Sequence, residues 1–167
     1  MKKLNSSQVR ILKIVHIFFF IMWIGGGLGL MALMFIADYA LPDDIYMKTY
    51  SMKIIDDFMI IPGALGCLAA GIIYGVFTNW GFFKQNWLTV KWIMTTVQIL
   101  FGTFALGPWL NGSVDIAYNL RGAALSDPQF LNNMMNIKIW GPIQVSLLIF
   151  MAVISVIKPW RKGKGSD

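Results

Sequence analysis

Histidine and cysteine each occur once in this 167-residue chain, and glutamate does not occur at all. A lone Cys67 excludes an intrachain disulfide framework. One histidine with no glutamate and no cysteine cluster excludes a zinc or di-iron site built by a single chain. Charge is scarce too: 13% of residues are charged against 57% hydrophobic, and the mean hydropathy is +0.63. Soluble domains of this size are far more polar, so the composition indicates an integral membrane protein. The net charge of +6 does not mark a nucleic-acid binder, because the cations gather at the ends of apolar runs, where anionic headgroups attract them. No Ser-His-Asp constellation and no internal repeat is visible, and the only low-complexity stretch is the tail "RKGKGSD".

What the chain does have is long apolar runs. Residues 14–37, 58–78, 88–110 and 139–157 each supply the roughly 20 residues needed to cross about 30 Å of hydrocarbon. They lack the alternation of a barrel strand, and open strands leave backbone groups unsatisfied in lipid. The predicted fold class is therefore all-α, a transmembrane four-helix bundle, with residues 1–167 forming one integral membrane domain. The first run is too long for a signal-peptide core and no small-x-small cleavage site follows it, so it is read as a span. Lys2, Lys3, Arg10 and Lys13 precede the first span, and Lys158, Arg161, Lys162 and Lys164 follow the last. Both termini are thus expected in the cytoplasm of a multi-pass protein of the plasma or inner membrane. The loops expected outside carry Asp38, Asp43, Asp44, Asp56 and Asp57 against Lys48 and Lys53, and Asp115 and Asp127 against Arg121 and Lys138.

The loops and helices carry further signals. "LPDD" starts a helix, so the second helix is expected to begin outside the membrane at Pro42 and the acidic residues, with Lys53 and Asp57 one turn apart on a solvated face. "SVDIAYNLRGAAL" reads as a short amphipathic helix lying on the outer leaflet, stopped by Asp127-Pro128. Gly25, Gly26, Gly27 and Gly29 in the first helix, and Gly63, Gly66, Ala70, Gly71 and Gly75 in the second, let backbones approach closely; the sharper alternative is room for a flat ligand. Pro62 and Pro142 are expected to kink their helices.

The histidine belongs to one of two polar stripes. At 100° per residue, His16, Phe20, Trp23 and Gly27 share a face of the first helix, and Lys91, Thr95, Gln98 and Gly102 share a face of the third. Both helices start from the same side, which places His16 and Lys91 at similar depth. Ionisable groups in a span turn inward or into a polar cavity, and Gln144 and Ser155 of the fourth helix are candidate partners. The plain alternative is interfacial: a lysine snorkels to the headgroups and a histidine stays wet. For chemistry, haem fits these residues. One imidazole is a sufficient axial ligand, one of the 11 methionines or a second His16 from a homodimer serves as the other, and a lysine neutralises a propionate. Trp23, Trp92 and Phe18 to Phe20 offer flat walls.

The stretches "LKIVHIFFFIMWIGG" and "NWLTVKWIMTTVQILFG" resemble the first and third helices of HemJ-type protoporphyrinogen oxidases, with a histidine followed by Trp and Gly and a later "W-L-x-x-K". The chain is also similar to CopD-like membrane domains, which share the "H…W-x-G-G" start and a second helix like "IPGALGCLAAG". The resemblance covers residues 10–110 and implies haem b on His16 and a functionally required Lys91; Trp23, Thr95 and Gln98, on the same stripes, are the neighbouring candidates, Gln98 for catalysis with Lys91 and Trp23 and Thr95 for the cofactor. It departs after the glycines, where "LGLMALMF" replaces a Tyr, a Pro-Arg and a further His, so the porphyrinogen substrate does not carry over. An oxidase of this kind needs an electron acceptor such as a quinone. Two rivals remain: a copper-handling transporter collecting Cu(I) on Met47, Met52, Met134 and Met135, and a non-enzymatic membrane module that works by helix packing.

Overall fold

A computed structural model describes residues 3–36, 41, 43–78, 82 and 86–158. Lys2, Ala37, Asp38, Pro42, Arg161, Lys162 and Lys164, used in the expectations above, lie outside them. The described residues are helical with no strand, and form four rods, each long and apolar enough to cross a membrane. The first rod is α1, Ser6–Ile36. The second joins α2 (Asp44–Ile55), a π-helical turn (Asp56–Ile60) and α3 (Ile61–Phe77). The third joins α4 (Asn86–Phe101), a second π turn (Gly102–Leu106), α5 (Gly107–Leu120) and a 3₁₀ segment (Arg121–Ser126). The fourth is α6, Pro128–Ile157.

The rods are longer than the apolar runs. The second rod's 34 residues extend about 50 Å at 1.5 Å per residue, against some 30 Å of hydrocarbon. The helix start read at "LPDD" is there: Asp44 opens α2, which runs on into the second span, and Lys53 pairs with Asp57 one turn later. The surface helix expected at "SVDIAYNLRGAAL" is corrected. That segment continues the third rod and buries Ser113, Ala117 and Ala124 against α2 and the start of α6. Burying that small-residue face against two helices gains more than laying it on headgroups. Asp127-Pro128 does mark the break, because a residue before proline is held extended and its side chain is free to cap. The Asp127 carboxylate accepts from the Phe130 amide at 2.8 Å.

Three apolar clusters stack along the axis. Nearest the termini lie Trp23, Ala64, Cys67, Leu148 and Met151. Farther along come Met52, Leu110 and Ile137, and then, under the far cap, Ile45, Ala117, Ala124 and Phe130. The first two rods pack through glycine: a Cβ on Gly63 would stand 2.6 Å from the Trp23 amide nitrogen, and one on Gly66 would stand 2.2 Å from the Phe19 ring. Helix packing, the plainer reading of these glycines, is what the two positions do. Pro142 sits inside α6, which runs through it unbroken, and Pro62 follows directly on the first π turn.

The far cap is tied by polar contacts. Lys48, read from sequence as a loop cation, is buried, and its Nζ donates to the Met34 carbonyl at 3.3 Å in the last turn of α1. A cation there satisfies an orphan carbonyl and meets the negative end of the helix dipole. Arg121 takes a positive φ of 49° at the end of α5, and its guanidinium lies 4.4 Å from the Tyr46 ring centroid and 5.2 Å from that of Tyr118. These contacts hold a backbone conformation that a non-glycine residue rarely adopts.

Candidate functional site

The polar stripe of α4 faces α6 over three turns. Lys91 Nζ donates to Ser155 Oγ at 2.6 Å, and Thr95 Oγ1 donates to Met151 Sδ at 3.5 Å. Gln98 Nε2 donates to the Gln144 carbonyl at 3.4 Å, while Gln144 Nε2 returns a bond to the Gln98 carbonyl at 3.2 Å. The partners suggested by spacing, Gln144 and Ser155, are therefore bonded to the stripe. Gln98 is 3% exposed, and its Oε1 has no hydrogen-bond partner.

His16 lies in the half of α1 nearer the termini and faces α3. Its ring meets Tyr74 edge-on at 6.3 Å, the Cys67 thiol reaches its carbonyl at 3.8 Å, and Lys91 stands within electrostatic range. The imidazole Nδ1 is buried with no hydrogen-bond partner. Buried polar atoms nearly always have one, so this nitrogen is an exception, open to a hydrogen bond or a metal. Among the described residues no three His, Cys or Asp side chains converge to hold a metal.

Trp23, 7% exposed, belongs both to the core cluster and to a cavity of about 550 Å³ lined by all four rods. Gln98 borders the same cavity, whereas His16, Lys91 and Thr95 do not. The predicted residues thus fall into two groups: His16 and Lys91 near the termini, and Trp23 with Gln98 about two turns farther in. The cavity, its acidic Asp56 and the two π turns were not singled out from sequence. Pro62 and Pro108, each just beyond a π turn, were the available signal. Of the four loop methionines, Met52 is fully buried with Met134 packed against it in the middle cluster, while Met47 and Met135 are exposed.

Comparison with protein-family models, with curated proteins and with solved structures finds no match to this chain.

Proposed function

We propose that the protein is a haem b-binding, HemJ-like oxidoreductase of the plasma or inner membrane, with both termini cytoplasmic and a substrate that its residues do not specify. The observation that carries this is the buried, unpartnered Nδ1 of the chain's sole histidine beside an inward-facing lysine. The residues present fit the group in part. His16 would offer the iron one nitrogen, and Lys91, with one of its three ammonium protons given to Ser155, would have two left for a propionate. Bound haem would supply one-electron chemistry. The chain's own part is to hold His16 between α1 and α3, to anchor Lys91 on α6, and to keep water from the interior with Trp23 and Thr95 packed against Met151 and its neighbours. Gln98, with a free carbonyl oxygen, is positioned to accept a proton-bearing group. Turnover requires an electron acceptor from outside the chain, such as a membrane quinone.

The test is the absorption spectrum of the detergent-purified protein, oxidised and dithionite-reduced, beside His16→Ala. A Soret band with b-type reduced bands that vanishes in the variant supports the reading. Lys91→Met should keep the bands and release haem at least tenfold more readily. A colourless wild-type protein made with ample haem overturns the proposal.

A further inference from the structure

We infer that the 550 Å³ slot enclosed by the four rods is a binding site for a lipid-soluble ligand bearing a hydroxyl group, taken in sideways from the bilayer. This goes beyond the haem reading and does not depend on it, since His16 and Lys91 lie outside the slot.

The slot's size falls in the roughly 300–1,000 Å³ range of small-molecule sites. Its lining on the second rod runs from Lys53 to Leu65, about 18 Å at helical rise, so it is elongated along the bundle axis. Apolar side chains such as Ile60, Ile99, Leu106, Val145 and Leu148 wall its length, while Lys53, Asp56 and Asn111 stand at the end nearer the cap. An amphiphile is the matching shape: apolar body at membrane depth, polar group toward the interface. Ile61 and Leu65, which line the slot, are 43% and 53% exposed, so no neighbouring rod covers this stretch of its wall and a ligand can enter there from the bilayer.

Both π turns in the described residues border this one space. Asp56 and Ile60 come from the first π turn, and Gly102, Thr103 and Leu106 from the second. Pro62 and Pro108 lack the amide proton that an α-helical turn would use, so each rod widens just before its proline, and π turns of this sort cluster at binding sites. The glycines agree. A Cβ on Gly102 or Gly141 would meet nothing within 4 Å, so helix packing does not require glycine there, unlike at Gly63 and Gly66. Without side chains these two wall positions leave the slot wide.

The unmet groups set the ligand's chemistry. Gln98 Oε1 is buried, borders the slot and accepts no hydrogen bond, because the Gln98 amide nitrogen is committed to Gln144. Asp56, half-buried beside Lys53 at the end of the slot, takes no hydrogen bond on its carboxylate from a described residue. Both groups are acceptors and suit a donor. An alcohol or phenol donates without bringing a charge into the membrane; a ketone or ester does not donate. A hydroquinone and a glycerolipid with a free hydroxyl share this chemistry.

The experiment measures equilibrium binding to the detergent-purified full chain by native mass spectrometry, with decyl hydroquinone, dioleoylglycerol and the donor-free methyl oleate as probes. At least one hydroxyl probe should bind wild type at least tenfold tighter than methyl oleate. Gly102→Leu, which fills open space, should weaken that binding at least tenfold, and Gln98→Leu should abolish the preference for a hydroxyl. His16→Ala should bind as wild type does, whatever its haem content. Preference for the hydroquinone identifies a redox carrier as the source, and preference for dioleoylglycerol a membrane lipid. Binding of methyl oleate as tight as the hydroxyl probes, unchanged binding in Gly102→Leu, or no binding of either hydroxyl probe overturns the inference.

Discussion

Glycine residues in this bundle do opposite jobs at different positions, and a single methyl group separates them. At Gly63 the added Cβ would meet the Trp23 and Phe19 backbone of α1 at 2.6 and 2.9 Å, atoms that move only with the helix. Gly63→Ala should lower stability by about 1–3 kcal/mol, while Gly141→Ala, in open space within α6, should be neutral or raise it by about 0.5–1 kcal/mol through helix propensity. Unfolding in mixed micelles, followed by circular dichroism, checks both signs. Lys48→Met removes the donor to the Met34 carbonyl and should cost about 1–3 kcal/mol in the same assay, where a solvated loop lysine would cost nearly nothing. The sequence announced Lys91, Thr95 and Gln98 because they repeat at helical spacing, and two of the partners on α6, Gln144 and Ser155, followed from the same arithmetic, whereas Met151 did not. It hid Lys48, since nothing local says that the last carbonyls of α1 end beside it.

At the scale of elements, the rods begin and end where short polar motifs dictate, and they extend beyond the membrane where tertiary contacts reward it. Asp127 is the clearest of these motifs. Its carboxylate caps the Phe130 amide with Pro128 in the first turn, and Asp127→Ala should destabilise the chain by about 1 kcal/mol, whereas Asp127→Asn, which keeps the acceptor, should cost at most a few tenths. Comparing the two variants by the same unfolding curves isolates the cap from charge. The misplaced surface helix shows the limit of an amphipathic pattern: residues 113–125 carry an apolar face that suits a leaflet or a helix pair equally well. The choice of α2 and α6 as its partner rests on Ile45 and Phe130, which come from distant segments. The π turns were illegible for a related reason. Proline announces a local defect, but whether a rod kinks, breaks or widens depends on the packing held fixed on either side.

At the scale of the whole molecule, four antiparallel rods put the start of α1 and the end of α6 at one pole and the capped α2, α5 and α6 ends at the other. With cations at the first pole, the termini should face the cytoplasm. The single Cys67 is 5% exposed, so wild type supplies a quiet background for labelling. In intact cells a membrane-impermeant maleimide should label Ser126→Cys at the cap and spare Ser6→Cys near the N-terminus; the reverse pattern would invert the topology.

Apolar run length alone determined that the chain is four membrane helices, because hydrocarbon allows no other way to satisfy so many backbone groups. Helical periodicity alone placed His16 and Lys91 on inward stripes. Only the tertiary structure decided that His16 keeps an unpartnered nitrogen against α3, that Lys48 is buried, and that Asp56, Gln98, Gly102 and Gly141 surround one slot. Those properties belong to the gaps between helices. A gap is set by side chains from several rods at once, and no single stretch of sequence contains it.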